Sequence, residues 1–230
     1  MTQAFDQYRE SYGDVVQGSI DFSGLEHSFF MRAKANVLFD ILASRDASQD
    51  TSGLEYLDVG CGIGAFLPYV QDRFHATHGC DISGDSIEKA KELNGTANFR
   101  LYDGKRLPYE DASFDVLTTV CVVHHVPAAQ WPAYFAEMRR VLKPGGIACV
   151  IEHNPLNPLT RLAVARCEFD HDAELLTHWK TEKLFKGAGF KKQNTLHFLF
   201  LPTEHKFAQA FERRITKLPL GAQYVGYAEA

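Results

Sequence analysis

Apolar residues occur along the chain either in short continuous runs or at helical spacing. The most informative run covers residues 54–59, and glycines at alternate positions, Gly60, Gly62 and Gly64, come directly after it. A continuous apolar run of this length predicts a buried parallel strand, and the glycines predict a tight turn into a helix over residues 64–74. Glycine reaches backbone angles closed to other residues and lets a ligand lie against bare backbone. We therefore expect a ligand to bind at this turn.

The same alternation of strand and helix patterns continues along most of the chain. It predicts further strands at residues 77–82, 99–102, 114–123, 147–151, 190–201 and 222–228, with a turn at 143–146. Helices are predicted at 25–43, 83–94, 159–167, 177–187 and 204–217 and, from an aromatic stripe, between 131 and 142. Strands that alternate with helices indicate an α/β fold, in which a doubly wound, mostly parallel sheet carries helices on both faces.

The chain has 230 residues, which suits a single domain with a large core. Within residues 1–230 we expect a helical lid over the ligand crevice at 1–50 and a cofactor-binding core at 54–151. The alternation breaks after residue 151, so 152–176 is predicted to be an insertion on the substrate side. Residues 177–230 would then complete the sheet.

Charge, cysteines and hydropathy narrow the class of protein. The net charge is −5 and no stretch concentrates Lys and Arg, which argues against nucleic acid as a partner. The five cysteines are odd in number and far apart, so we expect neither a disulfide framework nor a metal site. The first residues are polar and no apolar run approaches the length of a membrane span. We therefore expect a cytoplasmic protein without a membrane partner, and the sequence leaves both a monomer and a homodimer open.

The glycine turn alone does not identify the cofactor. Its spacing also satisfies the loose dinucleotide fingerprint. Asp81 follows the second strand at the distance expected for a residue that binds ribose hydroxyls. NAD and S-adenosylmethionine both carry an adenosine ribose, so both remain open at this point. The features that discriminate between them are Asp58 before the turn, the Asp103-Gly104 pair and residues 140–146.

Taken in order, the segment Asp58–Gly64, Asp81, the Asp103-Gly104 pair, and residues 114–125 and 140–146 resemble class I S-adenosylmethionine-dependent methyltransferases. The resemblance covers about residues 54–151. It implies a Rossmann-like, seven-stranded sheet whose last strand is antiparallel, and S-adenosylmethionine as the cofactor.

The resemblance also implies which positions contact the cofactor. Asp81 would bind the ribose hydroxyls, Ile82 would pack on adenine, and Asp103 would accept a hydrogen bond from the adenine amino group. The glycine turn would border the methionine part, and Arg32 would sit where related enzymes hold the cofactor carboxylate. The full set of implied cofactor contacts is Tyr12, Arg32, Asp58, Gly60, Cys61, Gly62, Gly64, Asp81, Ile82, Asp103, Gly104, Val120 and Cys121.

Methyl transfer to a hydroxyl or an amine requires the acceptor to lose a proton, which favours a histidine beside it. His125 follows the fourth predicted strand and His153 the fifth, so both are candidate bases, with His124 and His27 as weaker ones. For each of them the competing role is a hydrogen bond that anchors a loop. The acidic and histidine residues at 168–172 are adjacent in sequence, so we expect a solvated turn there rather than a metal site.

The predicted function is methyl transfer from S-adenosylmethionine to a small molecule. The composition of the insertion suggests a lid of mixed polarity over a polar acceptor, such as the hydroxyl of a sugar or of a biosynthetic intermediate. Two alternatives stay open, a protein that binds S-adenosylmethionine without catalysis and, less favoured, an NAD-dependent oxidoreductase.

Overall fold

The computed structural model describes residues 17–18, 20–21, 24–45, 50–167, 170–201, 203 and 205–230. The predicted contact residue Tyr12, and with it part of the predicted lid at 1–50, lies outside these residues. The described helices are α1 (His27–Arg45), α2 (Gly84–Leu93), α3 (Trp131–Val141), α4 (Pro158–Arg166), α5 (His178–Gly187) and α6 (Lys206–Ile215). The strands are β1 (Glu55–Val59), β2 (Ala76–Asp81), β3 (Asn98–Leu101), β4 (Phe114–Val120), β5 (Leu142–His153), β6 (Lys191–Phe198) and β7 (Gln223–Glu229).

The seven strands form one sheet in the order β3-β2-β1-β4-β5-β7-β6. Strands β1 to β5 pair in parallel, whereas β7 runs antiparallel to both β5 and β6. The predicted fold class, with its antiparallel last strand, is confirmed. The chain order reverses between β1 and β4, and ligands of open α/β sheets bind beyond the carboxyl ends of the strands at such a switch point.

The sheet is covered on both faces because its strands present apolar side chains in both directions. On β1, Tyr56 packs with the buried face of α1, while Leu57 packs with residues of α3 and α5 on the opposite side. Ser83 caps α2 as its position predicts, since its side chain accepts a hydrogen bond from the backbone N–H of Ser86. Among the described residues, no helix combines the length and the hydropathy that crossing a bilayer requires.

Three local predictions were wrong. The helix predicted at 64–74 is two short 3₁₀ turns, Leu67–Tyr69 and Gln71–Arg73, because Pro68 has no N–H to donate to a continuous helix. The fourth strand ends at Val120 rather than at residue 123, because Cys121 adopts a left-handed φ of 56° and turns the chain.

The turn predicted at 143–146 belongs to β5. Phe114 pairs with Leu142 and Val116 with Ile147, so β5 advances five residues while β4 advances two. The extra residues form a bulge, which accommodates Pro144 because a bulged residue needs no ladder hydrogen bond.

Candidate functional site

The loops that follow the carboxyl ends of β1, β2, β3, β4 and β5 surround one cavity of about 850 Å³. Helix α1 closes it on one side, and α4 with the residues before α6 closes it on another. The cavity therefore lies at the edge of the sheet where the switch in strand order predicts a ligand.

The three glycines of the first turn occupy their positions for different structural reasons. A Cβ on Gly60 would lie 2.5 Å from Cγ1 of Val122, and one on Gly64 would lie 2.5 Å from Nδ2 of Asn94. Gly62, with a φ of 51°, has no atom within 4 Å of that position, and it lines the cavity. A Cβ on Gly62 would meet open space at the wall of the cavity, so no neighbouring side chain covers this backbone.

Two aspartates hold the loops that follow β2 and β3 in place. Asp81 Oδ2 accepts a hydrogen bond from the N–H of Gly62 at 2.8 Å, and its Oδ1 accepts one from the N–H of Ser83 at 2.9 Å. Asp103 Oδ1 accepts from the N–H groups of Lys105 and Arg106 at 2.9 and 3.0 Å. These N–H groups lower the pKa of the Asp103 carboxyl. Both carboxylates line the cavity while shaping its walls.

A buried carboxylate and a buried ammonium lie at the base of the cavity. Asp58 is 2% exposed, and its Oδ1 accepts a hydrogen bond from Oγ1 of Thr118 at 2.8 Å. Burial raises the pKa of Asp58 to about 7. Lys34 on α1 is 4% exposed, lines the cavity and lowers the pKa of the neighbouring Asp58 and Cys121. Arg32, two residues earlier, is exposed and does not line the cavity.

Glu152 anchors the loop that carries the two adjacent histidines. Its buried carboxylate accepts hydrogen bonds from the N–H groups of Val122 and Val123 through Oε1, at 3.1 and 2.8 Å. The other oxygen, Oε2, lies 2.5 Å from Nδ1 of His124. The end of β5 thereby fixes the loop after β4.

Asp170 brings the two histidine rings together. Its Oδ1 lies 3.3 Å from Nε2 of His124 and 3.4 Å from Nε2 of His125. We expected a solvated turn here, and this is correct for His171 and Asp172, which are exposed, but not for Asp170, which is directed towards the histidines.

The electrostatics of this cluster shift the pKa values of the two histidines in opposite directions. Burial opposes a charge on His124, but the carboxylates of Glu152 and Asp170 outweigh burial and raise the pKa of His124 well above its usual value. Burial and the neighbouring His124 charge lower the pKa of His125 to about 4. The pKa of Asp170 falls to about 2, because contacts with the histidines outweigh its burial. His124 is therefore the charged member and His125 the neutral one near pH 7.

Gln223, at the start of β7, faces the other candidate histidine. Its Nε2 lies 3.5 Å from Nδ1 of His153 and 3.8 Å from Sγ of Cys121. Burial disfavours the charged form of His153, but the Cys121 thiol overcomes it and raises the pKa of His153. Gln223 Oε1 is buried without a hydrogen-bond partner among the residues that the structure describes.

His124, His125 and Asp170 are also the set that could hold a metal ion in the described part of the chain. One ligand atom from each lies within 4.8 Å of the others. The same atoms already pair with one another, so hydrogen bonding explains their grouping and we assign no ion to it.

Most of the predicted site residues line this cavity. They are the catalytic candidates His125 and His153 and the predicted cofactor contacts Asp58, Gly60, Cys61, Gly62, Asp81, Ile82, Asp103, Gly104, Val120 and Cys121. Gly64 is buried and does not line it.

The sequence analysis missed Lys34, Glu152, Asp170 and Gln223. A signal existed for Lys34, because it shares the apolar face of α1 with Met31 and Leu38.

Comparison with known proteins gives matches concentrated on the core. Residues 57–150 match the family described as "Methyltransferase domain". A 2-methyl-6-phytyl-1,4-hydroquinone methyltransferase of Synechocystis sp. is 39% identical over 107 residues, which are 44% of this chain and 33% of that protein. A probable tRNA methyltransferase 9B of Homo sapiens is 38% identical over 90 residues, which are 39% of this chain and 19% of that protein.

A solved structure matches over the whole chain. It is a SAM-dependent methyltransferase of Thermotoga maritima, described as a possible histamine N-methyltransferase, with a TM-score of 0.65 and 19% identity, over 100% of this chain and 99% of that one. At this identity the likeness shows the fold. The chain spans about a third of the length of the first curated relative and about a fifth of the second.

Proposed function

We propose that this chain acts as a class I S-adenosylmethionine-dependent methyltransferase, the family that the match over residues 57–150 indicates, and that it methylates a hydroxyl group on a small molecule with an apolar body. S-adenosylmethionine is the cofactor that the family and the structural neighbours indicate. The observation that carries the proposal is the single cavity that joins two kinds of lining. Gly62, Asp81 and Asp103 line its cofactor side, while His125 and His153 line its acceptor side.

The rest of the acceptor side supports an apolar molecule rather than a bare sugar. Leu159 and Val164 from α4 and Phe200 from the segment before α6 line the cavity there. Apolar lining with a few placed polar groups is typical of sites for small molecules with an apolar body. The Synechocystis relative is named for a phytyl hydroquinone, which combines an apolar chain with a hydroxylated ring. A human relative that matches 39% of this chain is named for tRNA, and the net charge of −5 does not favour such an acceptor.

When bound, S-adenosylmethionine supplies a methyl carbon already activated by a sulfonium. The tasks left to the protein are therefore to align the acceptor, exclude water and remove one proton. His125 is neutral near pH 7 because its pKa is lowered to about 4, so it is the histidine of the pair that takes up a proton. Its Nε2 faces Oδ1 of Asp170. The ring of His125 accepts the proton of the hydroxyl, and Asp170 stabilises the resulting imidazolium.

Gln223 and His153 would orient the acceptor. The unpaired Oε1 of Gln223 accepts a hydrogen bond from a polar group of the acceptor, since it has no partner within the described chain. His153 has a raised pKa, so it is protonated more readily than His125 and is the better hydrogen-bond donor of the two.

The test begins with a screen of hydroxylated acceptors for a mass gain of one methyl group. With the acceptor in hand, His125→Ala should lower kcat by about 10²- to 10⁴-fold while leaving the Kd for S-adenosylhomocysteine unchanged. The kcat of the wild type should be flat above about pH 6, because a base with a pKa of about 4 is fully deprotonated there.

If the kcat instead rises through pH 7, and if His153→Ala abolishes this activity, His153 rather than His125 is the base. Near-normal turnover in both variants would show that alignment alone suffices. Binding of S-adenosylhomocysteine without methylation of any acceptor would support the non-catalytic alternative. Binding of NAD in its place would contradict the cofactor assignment.

A further inference from the structure

Large hydrophobic side chains are exposed mainly in two segments of the chain. Of the eleven that are exposed among the described residues, eight lie within 156–162 and 201–220. The two segments are neighbours, because Nδ2 of Asn157 donates to the carbonyl of Leu220 at 2.7 Å and Oγ1 of Thr160 donates to that of Ala222 at 2.7 Å. Residues 157–160 therefore lie beside residues 220–222, and we call the exposed hydrophobic side chains of the two segments the apolar face. Exposed hydrophobic side chains grouped in this way mark an interaction site.

Helix α6 gives this face its most exposed side chains. Phe207 and Phe211 are 82% and 55% exposed and lie four residues apart, so they share one side of the helix, together with Arg214. The remaining part of the helix is tied to the body of the protein. Oε1 of Glu212 accepts from the N–H of Leu201 at 2.6 Å, and Arg213 pairs with Asp40 of α1 at 3.1 Å. These contacts hold the helix so that both phenylalanines face outward, and their exposure is not a result of poor packing.

The charge of the apolar face opposes that of the whole chain. The two segments, residues 156–162 and 201–220, contain five Lys or Arg and two Glu, whereas the whole chain carries a net charge of −5. An amphipathic helix with aromatic residues beside basic ones matches the boundary between headgroups and acyl chains of an anionic membrane. Long basic side chains cover apolar surface while their charged ends reach the headgroups.

The same two segments form part of the wall of the cavity. Leu159 and Val164 of α4 and the residues 199–201 before α6 line it, and Leu159 and Leu201 also belong to the apolar face. The apolar face therefore borders the opening of the cavity. A molecule with an apolar body would enter from a bilayer without crossing water.

We propose that the apolar face, formed by α4, α6 and the residues up to Leu220, docks on the surface of an anionic phospholipid bilayer. In this arrangement helix α6 lies in the interface between the membrane and water and does not span the bilayer. Short apolar runs, which led us to expect no membrane partner, are compatible with this kind of binding. The proposal concerns binding of the protein itself and is tested without cofactor or acceptor.

The full chain is sedimented with vesicles of phosphatidylcholine and with vesicles in which about a third of the lipid is phosphatidylserine. The wild type should bind the anionic vesicles at least tenfold more tightly, and high salt should release it. The double variant Phe207→Ser/Phe211→Ser should bind at least tenfold more weakly. The matched control is Leu93→Ser/Trp179→Ser, which removes two hydrophobic side chains of similar exposure outside the apolar face, and it should bind as the wild type does.

Several outcomes would overturn the proposal. One is a wild type that does not bind the anionic vesicles, and another is equal weakening in both double variants. A third is self-association of the wild type that the phenylalanine substitutions abolish without any vesicle binding, which would make the face an interface between copies of this chain. Thermal unfolding of both variants checks that they fold, which the exposure of all four side chains leads us to expect.

Discussion

Replacing Glu152 by Gln tests whether this buried carboxylate organises the loop of the two histidines. The amide has the same shape and its oxygen still accepts from the N–H groups of Val122 and Val123. Its NH₂ group, however, faces Nδ1 of His124, which then accepts a hydrogen bond instead of donating one. The substitution therefore removes the countercharge of a buried imidazolium and keeps the packing.

The expected cost follows from the burial of the pair. Removing one partner of a buried ion pair costs about 3–5 kcal/mol, and the neutral hydrogen bonds that the amide retains reduce this. We expect Glu152→Gln to lower the free energy of unfolding by about 3 kcal/mol near pH 6. For a chain of this size that corresponds to a Tm lower by about 6–12 °C. The exposed pair of Lys89 and Glu92 supplies the control, since Glu92→Gln should cost less than about 0.5 kcal/mol.

The pH dependence distinguishes the charge from the packing. The pKa of His124 is raised from 6.5, so its contribution is complete below pH 6.5 and is lost as the pH rises through the raised value. The pKa of Glu152 is lowered from 4.5, so its contribution is complete above pH 4.5 and is lost as the pH falls through the lowered value. The difference between wild type and Glu152→Gln should therefore be greatest between about pH 4.5 and 6.5 and should shrink as the pH rises through the raised pKa of His124.

Denaturant unfolding at several pH values measures this difference, and the same substitution in a His124→Gln background completes a double-mutant cycle. In that background the cost of Glu152→Gln should lose its dependence on pH above 4.5. A cost below about 1 kcal/mol at pH 6, or one that does not fall at any pH above 6.5, would refute the assignment of an ion pair to Glu152 and His124.

Two further predictions concern the cofactor side of the cavity. Gly62→Ala should weaken binding of S-adenosylhomocysteine at least tenfold in calorimetry, because its Cβ enters the cavity. The control is Gly145→Ala, which carries similar backbone strain at a φ of 81° and also has no close neighbour, and it should bind as the wild type does. Lys34→Met should weaken binding of S-adenosylhomocysteine at least tenfold, because it removes the buried ammonium that lines the cavity. Arg32→Met should leave the Kd within twofold. A larger loss of affinity in Arg32→Met than in Lys34→Met would instead support Arg32 as the contact that the family resemblance implies.

The sequence predicted the fold well because each buried strand is a short apolar run between turn residues. It failed where a single residue overrides the pattern around it, as Pro68 does in the stretch predicted as the second helix and Cys121 does at the end of β4. Contacts between distant segments were equally inaccessible. Asp170 lies 46 residues after His124, and its position depends on how residues 154–176 return to the cavity, which no local pattern encodes.

The cavity is built from the part of the chain that matches the methyltransferase family and from residues beyond it. The glycine turn and the loops after β2, β3 and β4 lie within residues 57–150, the part that matches the family. Helix α4, Asp170, residues 199–201 and Gln223 lie beyond it, and Gln223 reaches the cavity because β7 runs antiparallel, so that its first residue lies at the carboxyl edge of β5. The proposed cofactor contacts thus lie in the matched part, and much of the proposed acceptor side lies beyond it. Exchanging residues beyond 150 between such proteins should therefore transfer acceptor preference and leave cofactor affinity as it was.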